Sequence, residues 1–232
     1  MAKKISIAID GPAASGKSTT ARLLAKKLGY LYIDTGAMYR AATLAVLRAG
    51  VNIKDEQAVK NCINNNQIRI HLRNGEQCTY LNEEDVSDQI RTPEINRAIS
   101  VISSYKDVRE IMVRQQRQLA AEGGVVMDGR DIGTVVLPHA ELKVFLVASL
   151  EERARRRLKE LQIQGENVKL EEVIEDIRRR DELDTSRSQS PLQQADDARR
   201  LDTTNLSIEE QVETIYKWSQ EIMEAASSFH RK

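Results

Sequence analysis

GPAASGKS, residues 11–18, sits between a short apolar run, ISIAI (5–9), and a segment where Leu23, Leu24 and Leu28 follow Lys17 at helical spacing. The octet matches G-x-x-x-x-G-K-[ST] in the strand-loop-helix setting that gives the pattern its meaning. Gly11 and Gly16 allow backbone conformations that turn successive N–H groups inward, forming a nest for an anion. The helix that starts near Lys17 aims the positive end of its dipole at the same point. Lys17 would reach the β- and γ-phosphates of a nucleoside triphosphate, and the Ser18 hydroxyl would sit on Mg²⁺. The expected ATP contacts are therefore Gly11, Pro12, Ala13, Ala14, Ser15, Gly16, Lys17, Ser18 and Thr19.

Four more apolar runs lie downstream: LYI (31–33), VVM (125–127), LKVFLVA (142–148) and the weaker ARRL (198–201). Short runs with little polar alternation suit strands buried on both faces of a parallel sheet. Helical patterns separate them, as in Met38, Ala41, Ala42 and Ala45 after Gly36, and in Val108, Ile111, Met112, Gln115 and Leu119. The last helix is announced by Ser207-Ile208-Glu209-Glu210, a capping box, followed by the stripe Ile208, Val212, Ile215, Trp218 and Ile222. Trp218 thus belongs to a core face. Alternating strands and helices predict an α/β fold with a five-stranded parallel sheet flanked by helices.

Two segments break the alternation. IRIHL (68–72) and QCTYL (77–81), joined through Arg73-Asn74-Gly75, predict an antiparallel hairpin within an insert of roughly 60–100. Arg153, Arg155, Arg156, Arg157, Arg178, Arg179, Arg180 and Arg187 mark a second segment, with Gly165 and Asn167 between its helical halves. Nearby acidic residues make an exposed helix pair with local salt bridges its plainest reading.

Composition narrows the partners. Among 232 residues, Lys+Arg and Asp+Glu number 35 each, so no global field draws the chain to nucleic acid or membrane. Cys62 and Cys78 have no metal-ligand spacing and cannot scaffold a chain this long. The apolar run after MAKK is too short for a secretory signal core, which needs about 7–15 residues. A cytoplasmic protein with small-molecule substrates is expected. A phosphate loop alone leaves a kinase, an NTPase switch or motor, and a nucleotide-sensing module open. The guanine signature N/T-K-x-D is absent. A small-molecule kinase needs an acceptor pocket and a way to exclude water, jobs that the insert and the arginine-rich helix pair suit.

VVMDGRDIGT (125–134) carries a buried-looking strand straight into two carboxylates flanking one guanidinium. As an isolated loop it would be a solvated strand exit with a local ion pair. Together with GPAASGKST, DTGAMYR (34–40), EEDVSDQIRTPEI (83–95), DVREIMVRQQR (107–117), DGRDIGTVVLPHA (128–140) and RRRDELDTSRSQSPL (178–192), it resembles the bacterial cytidylate kinases among the nucleoside monophosphate kinases. These motifs cover nearly the whole chain in order. The resemblance implies phosphoryl transfer from ATP to CMP or dCMP, with Mg²⁺. It implies a monomer with a P-loop core (1–34, 101–150, 188–232), an acceptor domain (35–100) and a lid (151–187).

Carried over by position, Thr35, Arg40, Ser100, Arg109, Arg130, Asp131, Asp184 and Arg187 line the acceptor site. Lys17, Arg130, Arg180 and Arg187 serve the transfer, with Arg157, a lid arginine, near the ATP phosphates. Thr35 stands where some family members carry Ser, so a hydroxyl is kept. Asp128 sits where a P-loop fold places a carboxylate for Mg²⁺. Arg130 would grip the acceptor phosphate and Asp131 would accept from the cytosine amino group. His71, His139 and His230 need no catalytic role, because the nucleophile is already an anionic phosphate. Tyr39 is read equally as a nucleotide contact or as helix packing.

Overall fold

Strand β1 (Ser6–Asp10) is the middle strand of a five-stranded sheet in a computed structural model that describes residues 4–73, 76–163, 165–187 and 189–229. The other strands are β2 (Leu31–Asp34), β6 (Val125–Gly129), β7 (Leu142–Val147) and β8 (Arg199–Asp202), in the order β2-β6-β1-β7-β8. β1 pairs in parallel with β6 and with β7, and β7 pairs in parallel with β8. All five apolar runs thus become strands. Every residue of β6 is buried, which explains its unbroken apolar start. β8 reads weakly because it is an edge strand whose residues alternate between half-buried and exposed.

The chain divides into two compact units, residues 1–32 with 123–232, and residues 33–122. In the first, α1 (Lys17–Leu28) and α8 (Ile208–Phe229) pack together on the sheet. Leu24, Val212 and Ile215 meet Ile7, Ile9, Val126 and Leu146 in one apolar cluster. The capping box forms as expected. Ser207 Oγ accepts from the Glu210 N–H at 3.2 Å, and the Glu210 carboxylate accepts from the Ser207 N–H at 2.8 Å. Trp218 packs against the cluster, with the Arg199 guanidinium over its ring. The arginine-rich segment forms α6 (Leu150–Ile163) and α7 (Leu170–Ser186), which pack on each other through Ala154, Val173 and Ile177.

The second unit contains α2 (Thr35–Arg48), α3 (Glu56–Asn64), α4 (Pro93–Ile102) and α5 (Lys106–Leu119). Its small sheet joins β3 (Ile68–Arg73) and β4 (Glu76–Leu81) antiparallel, with His71 opposite Cys78. The expected turn at Asn74-Gly75 lies outside the described residues, as does His230. A third strand, β5 (Glu84–Asp85), was not anticipated: two acidic residues carry no strand signal, and pairing with Tyr80 and Leu81 defines them. Residues 101–122, grouped with the core in the sequence reading, fold here with the second unit. The apolar face of α5, with Val108, Ile111 and Met112 buried, lies in a helix that packs on α3 and α2.

Gly11 is where the sheet constrains the phosphate loop most tightly. A Cβ there would stand 2.4 Å from the Leu146 carbonyl oxygen, a main-chain atom of the neighbouring strand. Gly11→Ala is expected to lower stability by about 1–3 kcal/mol, as overpacking does, and to weaken ATP binding. A urea midpoint and an ATP titration both equal to wild type would show that β7 can move aside.

Candidate active site

The phosphate loop follows β1 at the carboxyl edge of the sheet, where open α/β folds bind ligands. Gly16, the N-cap of α1, has φ +91°, and Ala14 also lies in the left-handed region at φ +58°. A left-handed alanine is uncommon, and here it continues the inward turning of the loop. The Ser15 hydroxyl is buried with no hydrogen-bond partner among the described residues. Lys17 opens α1, buries its stem and donates from Nζ to the Pro12 carbonyl at 3.0 Å. Burial, then the nearby Arg130 charge, push the Lys17 ammonium down to about 7; Asp128 and Asp184 oppose them.

Parallel pairing puts Ile9 opposite Asp128 and Asp10 opposite Gly129. The charged loop after β6 therefore starts level with the phosphate loop after β1. Asp128 Oδ2 accepts from the Ser18 hydroxyl at 2.7 Å, so the two expected Mg²⁺ residues are brought together. Asp128 Oδ1 accepts from the Tyr32 hydroxyl at 2.8 Å, a partner that sequence reasoning missed. These hard oxygen donors fit Mg²⁺, which commonly takes one or two protein oxygens and completes its shell with nucleotide phosphates and water. Among the described residues there is no group of three or more His, Cys, Asp or Glu that could hold a metal ion.

Asp10 was also missed. Its buried carboxylate accepts from the N–H groups of Ile132 and Gly133 at 2.8 and 2.7 Å. Burial pushes this carboxyl up to about 7, against the two N–H donors, which favour the ionised form. Its only sequence signal was a carboxylate ending an apolar run.

Arg130 reaches past the carboxylates that flank it and donates from Nε to Asp184 Oδ2 at 2.6 Å. Burial alone would raise the Asp184 carboxyl; Arg130, then Arg187 and Arg180, hold it below the usual range. Arg187, just after α7, donates from Nε to the Ser190 carbonyl at 2.7 Å and lies 3.7 Å from Asp184. Lys17, Arg130, Arg180, Asp184 and Arg187 therefore share one charged neighbourhood in this unit, while Arg157 pairs with Glu160 on its own helix.

The remaining arginines separate by burial. Arg178 and Arg179 make local ion pairs on an exposed face, as the plain reading expects. Arg153 and Arg156 depart from it. Arg153 is buried and donates to the Ala13 carbonyl at 3.1 Å, the Ala148 carbonyl at 3.2 Å and Asp181 at 2.6 Å. Arg156 donates to the Ser15 carbonyl at 3.4 Å and the Thr203 carbonyl at 2.5 Å. The buried Thr203 hydroxyl also donates to the Ser15 carbonyl, at 3.1 Å. These groups brace the outer side of the phosphate loop through carbonyls, which no side-chain motif reveals.

In the unit 33–122, Thr35 is buried at the start of α2, next to the N-cap Asp34, whose carboxylate accepts from the Ala37 N–H. Arg40 lies one turn on, close to Gly36, and Ser100 is half-buried on α4. Arg109 is buried on α5, donates to the Ser103 carbonyl at 3.3 Å and lies over the Tyr39 ring at 5.6 Å. Tyr39 is thus packed beneath a guanidinium, which favours its packing role.

A family model described as Cytidylate kinase matches residues 7–221. The chain is 54% identical over 210 residues to a cytidylate kinase of Bacillus pumilus (strain SAFR-032), covering 90% of this chain and 93% of that one. It is also 54% identical over 215 residues to a cytidylate kinase of Bacillus thuringiensis (strain Al Hakam), covering 93% and 96%. Among solved structures, an uncharacterized protein from Eubacterium ventriosum ATCC 27560 aligns at 12% identity with TM-score 0.51, covering 94% and 99%. That likeness concerns the fold alone.

Lys17 sets a proton-linked test. Above pH 7 its neutral amine is the commoner form, and a bound polyanion favours the ammonium, so triphosphate binding takes up a proton. At about pH 8 the uptake should approach roughly one proton per site, read as calorimetric enthalpies that differ between buffers of different ionisation heat. Buffer-independent enthalpies would mean that Lys17 is already charged before nucleotide arrives.

Proposed function

The chain belongs to the cytidylate kinase family, and on that premise we propose that it transfers the γ-phosphoryl group of ATP to CMP or dCMP, giving ADP and CDP or dCDP. The observation that carries this reading is the shared neighbourhood of the phosphate-loop Lys17 with Arg130, Arg180, Asp184 and Arg187. Cations around one point, with no histidine base among them, suit a reaction whose demands are positioning and charge.

In this reading the loop N–H groups, the α1 dipole and Lys17 hold the β- and γ-phosphates. Ser18 and Asp128 hold Mg²⁺, which supplies charge neutralisation at the phosphate oxygens when bound. Arg130 positions the acceptor phosphate so that one of its oxygens attacks γ-phosphorus in line. Arg180 and Arg187 offset the charge on the equatorial oxygens, and Asp184 keeps Arg130 aimed. Asp131 accepts from the cytosine amino group, and Arg109 donates to the O2/N3 edge. Thr35, Arg40 and Ser100 complete the acceptor contacts on their own unit. Residues 151–187 act as a lid, with Arg157 near the ATP phosphates, which keeps water from taking the phosphoryl group.

A cytoplasmic monomer acting on small molecules completes the proposal. No helix among the described residues is long and apolar enough to cross a membrane.

A coupled ADP-release assay with ATP against CMP, dCMP, UMP, AMP and GMP tests the activity. CMP and dCMP are expected to stimulate turnover most. ATP turnover indifferent to every monophosphate would favour an NTPase or a nucleotide sensor.

Asp131→Ala tests the base contact separately. Cytosine presents an amino donor where uracil presents an oxygen, so a carboxylate binds one and repels the other. The variant should lose about 1.5–3 kcal/mol toward CMP and less toward UMP, lowering the CMP/UMP ratio of kcat/KM. An unchanged ratio would remove Asp131 from base recognition.

A further inference from the structure

Asp10 belongs to neither the phosphate-loop motif nor the acceptor set, yet it is bonded to both loops. Its main chain ends β1 and runs directly into Gly11. Its side chain, 4% exposed, accepts from two consecutive N–H groups, Ile132 through Oδ1 and Gly133 through Oδ2. Those amides immediately follow Arg130-Asp131.

The segment beyond is closed on itself. The Asp131 carbonyl accepts from the N–H groups of Val135 and Val136 at 2.9 and 3.1 Å, and the Ile132 carbonyl accepts from Leu137 at 2.7 Å. Residues Ile132–Val136 thus form one wide turn whose opening N–H groups are taken by Asp10. Gly133 has little room: a Cβ would stand 3.2 Å from Lys143 Cδ and 3.4 Å from Asp10 Oδ2. Lys143 is itself held, donating to the Pro138 carbonyl at 2.6 Å and to Asp197 at 2.9 Å. The turn is clamped between a fixed carboxylate and a fixed lysine stem.

We propose that Asp10 is a positioning residue for acceptor choice: by binding the Ile132 and Gly133 amides it holds Arg130 and Asp131 in register with the phosphate loop. Selectivity for the base then depends on a carboxylate that touches neither nucleotide. A carboxylate suits the task because both of its oxygens accept, one for each amide. An asparagine of the same shape offers one oxygen and an NH₂ group, which would confront one N–H with another. The inference rests on the proposed base-reading role of Asp131.

The test compares Asp10→Asn, Asp131→Ala and Gly133→Ala. Asp10→Asn should lower kcat/KM for CMP by about 10–100-fold, mainly through acceptor KM, and lower the CMP/UMP ratio. Its ATP affinity, by direct titration, should stay within about threefold of wild type, a change below 1 kcal/mol. The amide proton signals of Ile132 and Gly133 should move upfield in this variant relative to wild type.

Gly133→Ala keeps the carboxylate while pressing the same contact, and should shift the ratio in the same direction by less. It decides the question if Asp10→Asn does not fold. A CMP/UMP ratio unchanged in Asp10→Asn, or in Gly133→Ala when only that variant folds, while Asp131→Ala flattens it, overturns the role of Asp10 alone. An unchanged ratio in Asp131→Ala overturns the reading of Asp131. Asp10 is then judged by acceptor KM rising with ATP affinity held. Equal losses toward ATP and acceptor, or unmoved amide signals, make Asp10 an ordinary loop support and overturn the proposal.

Discussion

Everything in the first unit depends on the parallel pairing of β1 with β6. Ser6 opposite Val125 and Asp10 opposite Gly129 are ends of one register, enforced by apolar side chains buried on both faces of the sheet. A slip of one residue would send those side chains to the wrong layers. It would also part Ser18 from Asp128 and Asp10 from the amides of Ile132 and Gly133. The register that packs the core is therefore the register that assembles the site.

Charge is concentrated where the sheet is most buried. Lys17 and Asp128 are buried, with Arg130 and Asp184 half-buried beside them, and each feels the charge of the others. The Lys17 ammonium is held low because burial and Arg130 outweigh its acidic neighbours. A bound polyphosphate would oppose that balance by favouring the ammonium. Arg153 behaves differently. Its donors are occupied by two carbonyls and Asp181, and it braces the phosphate loop. One turn further along α6, Arg157 pairs with Glu160 instead, and what separates the two arginines is which face of α6 meets the loop.

The family match and the buried geometry support each other without being the same observation. Identity of 54% over most of the chain places it among the cytidylate kinases. The hydrogen bonds around Asp128, Asp10 and Arg130 supply physical reasons for an acidic, glycine-containing loop at that sheet edge. Charge at the tip of a buried strand is costly unless it is paired. Here Tyr32, Ser18, two backbone amides and Asp184 provide the partners.

The sequence by itself determined the five strands, the capped last helix, the hairpin and the phosphate loop, because each rests on local spacing or on residues required within one turn. Its motifs were also enough to name the family. Only the tertiary structure decided that α5 joins the second unit, that Glu84 and Asp85 form a strand, and that Arg153 is buried while Arg178 is exposed. It alone joined Tyr32 to Asp128 and Asp10 to the amides after Asp131. These partners lie far apart along the chain, or are main-chain groups common to every residue. Periodicity and composition carry no trace of them, and they come into reach when parallel strands distant in sequence are laid side by side.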